Sequence, residues 1–204
     1  MPYDIAELFA RIVSLVADER PISVRMQSLI DYCASAHLYP SWPMLCDISF
    51  DADTSRAVRW LSGFAKGAPP ALKARGLWFG LNNPIVDGMP GADIYVASGP
   101  YYASDNIDWA LELNYAPPAR YLRSQVLSEI YAISYSGVDP LGNDAEYPLN
   151  LAYGGIITAY ALSAFKLPPP LDQVAGAAMG YDSGDCLYLG EFHDGTLKLA
   201  VRAG

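Results

Sequence analysis

Apolar residues recur at helical spacing through the first third of the chain. Between residues 4 and 18, Ile5, Leu8, Phe9, Ile12, Leu15 and Val16 fall on one face. Asp4 and Glu7 stand in the first turn, where negative charge complements the helix dipole. A second helix is predicted from Ser23 to Ala36, with Met26, Leu29, Ile30, Cys33 and His37 on a common face and Pro40 and Pro43 beyond its end. The two form an antiparallel helical hairpin joined at Arg20–Pro21. A third helix, capped by Asp53 or Thr54, turns Ala57, Val58, Leu61 and Phe64 inward and stops at Gly67, Pro69 and Pro70.

The pattern then changes period. Gly76–Leu81 is a short apolar run closed by Asn82-Asn83-Pro84, and Asp93–Ser98 is closed by Gly99-Pro100; both predict strands. Trp109–Tyr115 alternates apolar and polar and predicts a third strand, with a helix capped by Asp105 as the alternative. After Pro117-Pro118, Ser124–Ser134 has Val126, Leu127, Ile130 and Tyr131 on one helical face. Residues 136–148, rich in Gly and Pro, predict a loop, and 149–165 an apolar helix ended by Pro168-Pro169-Pro170. Cys186–Phe192 and Thr196–Arg202 flank His193-Asp194-Gly195, a hairpin signal. The fold class is therefore α+β in a single domain, residues 1–204. A mostly helical part (1–70) carries the hairpin and third helix. The part from 71 to 204 carries a mostly antiparallel sheet with two inserted helices and a C-terminal β-hairpin.

A chain of 204 residues with 52% apolar and 17% charged content can build a sizeable core without disulfides or metals. The apolar stretch Leu149–Phe165 is interrupted by Asn150, Tyr153, Gly154, Gly155, Thr158, Tyr160 and Ser163, which points to a buried helix and not a membrane span. Asp4, Glu7 and Arg11 do not fit a signal peptide. Cys33, Cys46 and Cys186 are odd in number and lack C-x-x-C spacing, so they read as buried free thiols of a reducing compartment, and the expected location is the cytoplasm.

The net charge of −9 is unevenly placed: residues 1–92 carry nine acids and eight bases, and residues 93–204 carry thirteen acids and five bases. This disfavours nucleic acid, whose phosphates need clustered Lys and Arg. It favours a protein partner with a basic surface, since complementary charge speeds encounter.

Little in the sequence supports known catalytic chemistry. His37 and His193 are the two histidines; a Cys33–His37 pair at i, i+4 is conceivable, but its neighbours are core residues. Gly137–Gly142 lacks the Lys and Ser/Thr of a phosphate-binding loop, and no cluster has zinc-ligand spacing, so no cofactor or metal is expected. Asp182-Ser183-Gly184-Asp185 has the composition of a metal loop but reads as a tight turn, and Asp51 and Asp53 as a helix cap. Asp139, Asp144 and Glu146 could form a carboxylate cluster, although a Gly/Pro loop makes solvated charge the default.

Tyrosine is abundant, and ten of the fifteen fall between residues 95 and 160. It offers rigid contact area with a polar tip and is enriched at protein interfaces. The loop Gly99–Trp109 combines aromatics with acids, and the partner-binding candidates are Tyr101, Tyr102, Asp105, Asp108, Trp109 and Glu112. The alternative is that Tyr101, Tyr102 and Trp109 pack on the sheet.

The succession G-L-W-F-G-L (76–81), D-I-Y-V-A-S (93–98), the Trp109 segment, S-Q-V-L-S-E-I-Y (124–131) and G-Y-D-S-G-D (180–185) resembles bacterial cytoplasmic proteins of the immunity-protein type. Proteins of this kind have no assigned activity, and some of them are thought to neutralise polymorphic or secretion-system toxins. The resemblance implies a non-enzymatic protein that covers a cognate toxin, and it assigns no site residues. Two other functions stay open. A carboxylate-dependent hydrolase would gather several of Asp139, Asp144, Asp182, Asp185 and Glu191 in one pocket. A structural subunit would dimerise through the N-terminal helical hairpin.

Overall fold

The computed structural model of the protein describes residues 3–86, 89–182 and 184–204. Six α-helices are present among them: α1 (Ile5–Ala17), α2 (Ile22–Ala36), α3 (Trp42–Cys46), α4 (Thr54–Lys66), α5 (Gln125–Ser134) and α6 (Asn143–Ser163). Asp4 caps α1, its carboxylate accepting from the N–H groups of Ala6 and Glu7. The end of α1 is closed from outside: the buried Arg25 guanidinium donates to the carbonyls of Leu15 and Asp18, which no intrahelical N–H can reach.

The strands of the main sheet are β1 (Gly76–Asn82), β4 (Asp93–Gly99), β5 (Tyr121–Arg123), β6 (Gly176–Tyr181), β7 (Cys186–His193) and β8 (Thr196–Ala203); β2 (Ile85–Val86) and β3 (Met89–Pro90) pair separately. The main sheet runs in the order β5-β4-β1-β6-β7-β8. All neighbours are antiparallel except the central pair, β1 and β6, which run parallel with Trp78 beside Ala178. The expected α+β architecture, with two helices inserted in a mostly antiparallel sheet and a terminal hairpin, is therefore present. Asp194 and Gly195, both at positive φ, form the hairpin turn.

Strand alternation divides the sheet into two faces. Leu77, Phe79, Ile94, Val96, Met179 and Leu187 join the helices in the main core. The axis of that core is α6, buried on all sides; its Gly154 lies against Met179 and Leu81, and its Gly155 against Val16 of α1. Pro148 inside α6 has no N–H for the carbonyl of Asp144, and the Tyr3 hydroxyl donates to that carbonyl instead at 2.5 Å. The opposite face carries a smaller cluster of Trp78, Trp109, Ala178, Cys186 and Tyr188, covered by the loop that follows β4.

Four expectations need correction. Trp109–Tyr115 is no strand: Ile107–Leu111 is a 3-10 helix capped by Asn106, and only Tyr115 bridges to Ser98. The loop over 136–148 ends early, because α6 already begins at Asn143. β6 and β5 are additional strands. Asp53 does precede α4, but its carboxylate makes no cap bond there and instead serves α5, accepting from the Ser124 hydroxyl (2.6 Å) and the N–H groups of Gln125 and Val126.

Candidate functional site

Glycine on the open face of the sheet determines what can lie against it. A Cβ at Gly76 would run into the Trp109 ring, one at Gly80 into Tyr95, and one at Gly176 into Tyr102. Aromatic rings thus rest directly on backbone, and the loop from residue 100 to 115 is drawn onto the sheet. Trp109 is 5% exposed and packs at 5.4 Å between ring centroids with the half-buried Tyr102. Of the six residues proposed from sequence, Trp109 and Tyr102 therefore anchor the loop. Tyr101, Asp105, Asp108 and Glu112 are exposed.

Anchoring of Trp109 turns the next residues outward. Leu111 is 79% exposed and Leu113 39%, both at the mouth of a cleft of about 400 Å³. Trp78 and Tyr95 form its aromatic wall, Ile107 and Ala110 extend the apolar lining, and Asp108 and Asp182 supply carboxylates; among the described residues no Lys or Arg lines it. The wall is held by a hydrogen-bonded trio. The Trp78 indole donates to the Tyr95 hydroxyl at 2.9 Å, and that hydroxyl donates to Asp182 Oδ1 at 2.5 Å. The indole also reaches the same Oδ1 at 3.3 Å. Burial, with Asp182 adding to it, pushes the Tyr95 hydroxyl well above the usual phenol range, so it stays a neutral donor. Among the described residues Asp182 Oδ2 has no such partner, and the side chain is exposed.

Asp182 reaches this place from the tight turn between β6 and β7, where Tyr181 N–H donates to the Asp185 carbonyl. The turn expected over 182–185 is present, although Ser183 lies outside the described residues. Sequence reasoning missed Trp78, Tyr95, Asp182, Leu111 and Leu113 as parts of one site. The available signal was a pair of leucines in an acidic, aromatic loop, which the strand reading turned inward.

Other clusters hold less. A second cleft, of about 550 Å³, lies beyond Tyr102 and mixes Arg75 and Lys166 with Asp172, Glu191 and Asp194. Of the three thiols expected to be buried, Cys33 and Cys186 are, but Cys46, at the end of the short helix α3, is exposed. The Cys33 thiol is pushed up to about 12 by desolvation, while the His37 ring sits 3.4 Å from Asp144 and edge-on to Tyr39. That arrangement gives Cys33 no activating base. Glu146 is buried and accepts from Asn83 (2.7 Å) and Tyr135 (2.8 Å), a structural tie between α6, β1 and α5. Asp139, Asp144, Asp182, Asp185 and Glu191 are dispersed: Asp139 is in an exposed loop, Asp144 beside His37, Asp182 in the aromatic cleft, Asp185 on Tyr147, and Glu191 in the mixed cleft. Among the described residues no three His, Cys, Asp or Glu side chains are grouped to hold a metal ion, and no helix is long and apolar enough to cross a membrane. No family model matches the chain, and no curated protein or solved structure matches it either.

Proposed function

We propose that this chain is a cytoplasmic binding protein for a basic protein partner, acting as an immunity protein that neutralises a cognate bacterial toxin by covering it. The observation that carries this reading is the cleft itself. It is a concave, aromatic-walled site with exposed leucines at its mouth and carboxylates in its lining, and among the described residues no basic side chain lines it. Exposed apolar groups beside aromatic anchors are the makings of an interface hot spot, and the acids Asp105, Asp108 and Glu112 around them supply attraction for a basic surface. The dispersal of the five carboxylates weighs against the hydrolase alternative, which needs them in one pocket. The inward faces of α1 and α2 are taken up by the core, so the dimerising-hairpin alternative would have to use the outer face of α1, where Ile5, Phe9 and Val13 line an apolar groove beside the end of β8.

The test is capture by the tagged protein from its native cytoplasm at low salt, repeated with the Asp105→Lys/Asp108→Lys variant. The expected result is one stoichiometric partner, released by salt, toxic when produced alone, and lost with the double variant. A partner held equally by the variant would remove this face from the account, and the absence of any partner would overturn the binding function.

A further inference from the structure

Building on that reading, the geometry points to an arginine side chain of the partner as the occupant of the cleft. Its guanidinium would meet Asp182 and Asp108, and its methylenes would lie between the Tyr95 wall and the leucines at the mouth.

Asp182 engages one oxygen, Oδ1, with Tyr95 and Trp78, while Oδ2 has no hydrogen-bond partner among the described residues and the side chain is exposed. Both of those donors are consumed in fixing it, so the carboxylate is oriented before any ligand arrives. A second carboxylate, Asp108, stands in the same lining. Two acids with an aromatic wall and aliphatic rims match a planar, weakly hydrated cation on an aliphatic stem. Guanidinium fits this better than ammonium, because it stacks on aromatic surface and offers donors in a fork. Arg120 does not fill the role: its guanidinium lies over the Tyr121 ring at 4.5 Å and donates to the carbonyls of Ala116 and Pro117. An anion would be repelled by the two carboxylates, and a purely apolar ligand would displace water from them without replacing its hydrogen bonds; Asp108 Oδ2 accepts only from Asn106 (3.2 Å) among the described residues.

The probe is N-acetyl-arginine amide, compared with N-acetyl-citrulline amide, which has nearly the same shape and no charge. The readout is the Trp78 indole N–H resonance of the full chain, identified by its loss in Trp78→Phe. Saturable movement of that resonance with the arginine probe, at about tenfold higher affinity than with citrulline, is expected, because the charge of the guanidinium strengthens its hydrogen bonds to the carboxylates; tenfold is about 1.4 kcal/mol. Asp182→Asn should weaken binding by a similar factor, and Asp108→Asn should also weaken it, with each variant's thermal midpoint confirming that it is folded. No saturable movement, or equal response to the two probes, would overturn the proposal. The capture experiment does not depend on this result. A salt-sensitive basic partner whose binding is unaffected by Asp182→Asn would sink the arginine assignment and leave the function standing, whereas an arginine-responsive cleft with no captured partner would do the reverse.

Discussion

Asp53 stands before the first turn of α4 yet acts on a different helix. It is fully buried, and its two oxygens accept from Ser124, from two N–H groups at the start of α5, from the Tyr153 hydroxyl at 3.3 Å and from Arg56. Removing it strands several buried donors and a cation. Asp53→Ala should therefore cost about 3 kcal/mol, read as a lower urea midpoint; a cost below about 0.5 kcal/mol would mean that this network does not hold α4 to α5. Asp93 behaves in the opposite sense. Burial raises its carboxyl above the ordinary value although Arg123 lies 3.5 Å away. The folded state then holds the proton to higher pH than the unfolded chain does. The stability tied to that proton is full below the unfolded carboxyl's pKa and is lost as pH rises through the folded value. Asp93→Asn should accordingly be more stable than the natural chain at neutral pH, with the gain fading as pH falls into the acid range. A gain that persists unchanged at low pH would show that ionisation is not its cause. Residue identity alone revealed neither role, because the α5 groups that Asp53 serves lie 71 to 73 residues along the sequence and the burial of Asp93 follows from the tertiary fold.

At the scale of elements, one-sided helices were legible because their inward faces meet a core on one side only. α1, α2, α4 and α5 follow the spacing of their buried residues. The central strand β6 was not legible. G-A-A-M-G-Y has little strand propensity, and its strand form depends on β1 alongside and on Tyr102 covering Gly176. The 3-10 segment misled for a related reason: W-A-L-E-L-N-Y alternates as a strand does, but its leucines face solvent and its tryptophan is the anchor. The loop should then depend on that one ring. Trp109→Ala is expected to cost about 3 kcal/mol and to speed hydrogen exchange through residues 107–115, while amides of α6 keep their protection. Uniform loss of protection across both regions would show that the open face and the main core unfold as one.

Across the whole molecule, the sheet separates two tasks. Its helical face holds the main core, and its open face carries aromatic rings seated on glycine, with a cleft between the loop and the β6–β7 turn. The candidate site was half legible. Composition identified the acidic, tyrosine-rich stretch and the loop after β4, whereas Trp78, Tyr95 and Asp182 come together only through sheet register and a turn 87 residues from Tyr95. Charge is the property that the proposed function uses at this scale, since a field over the loop would steer a basic partner before contact. The central claim is that this acidic face receives such a partner, and the association rate measured against ionic strength tests it most directly. For the Asp105→Lys/Asp108→Lys chain at low salt, the account predicts a rate at least about tenfold below that of the natural chain and a flatter dependence on salt. Equal rates with equal salt dependence would contradict it.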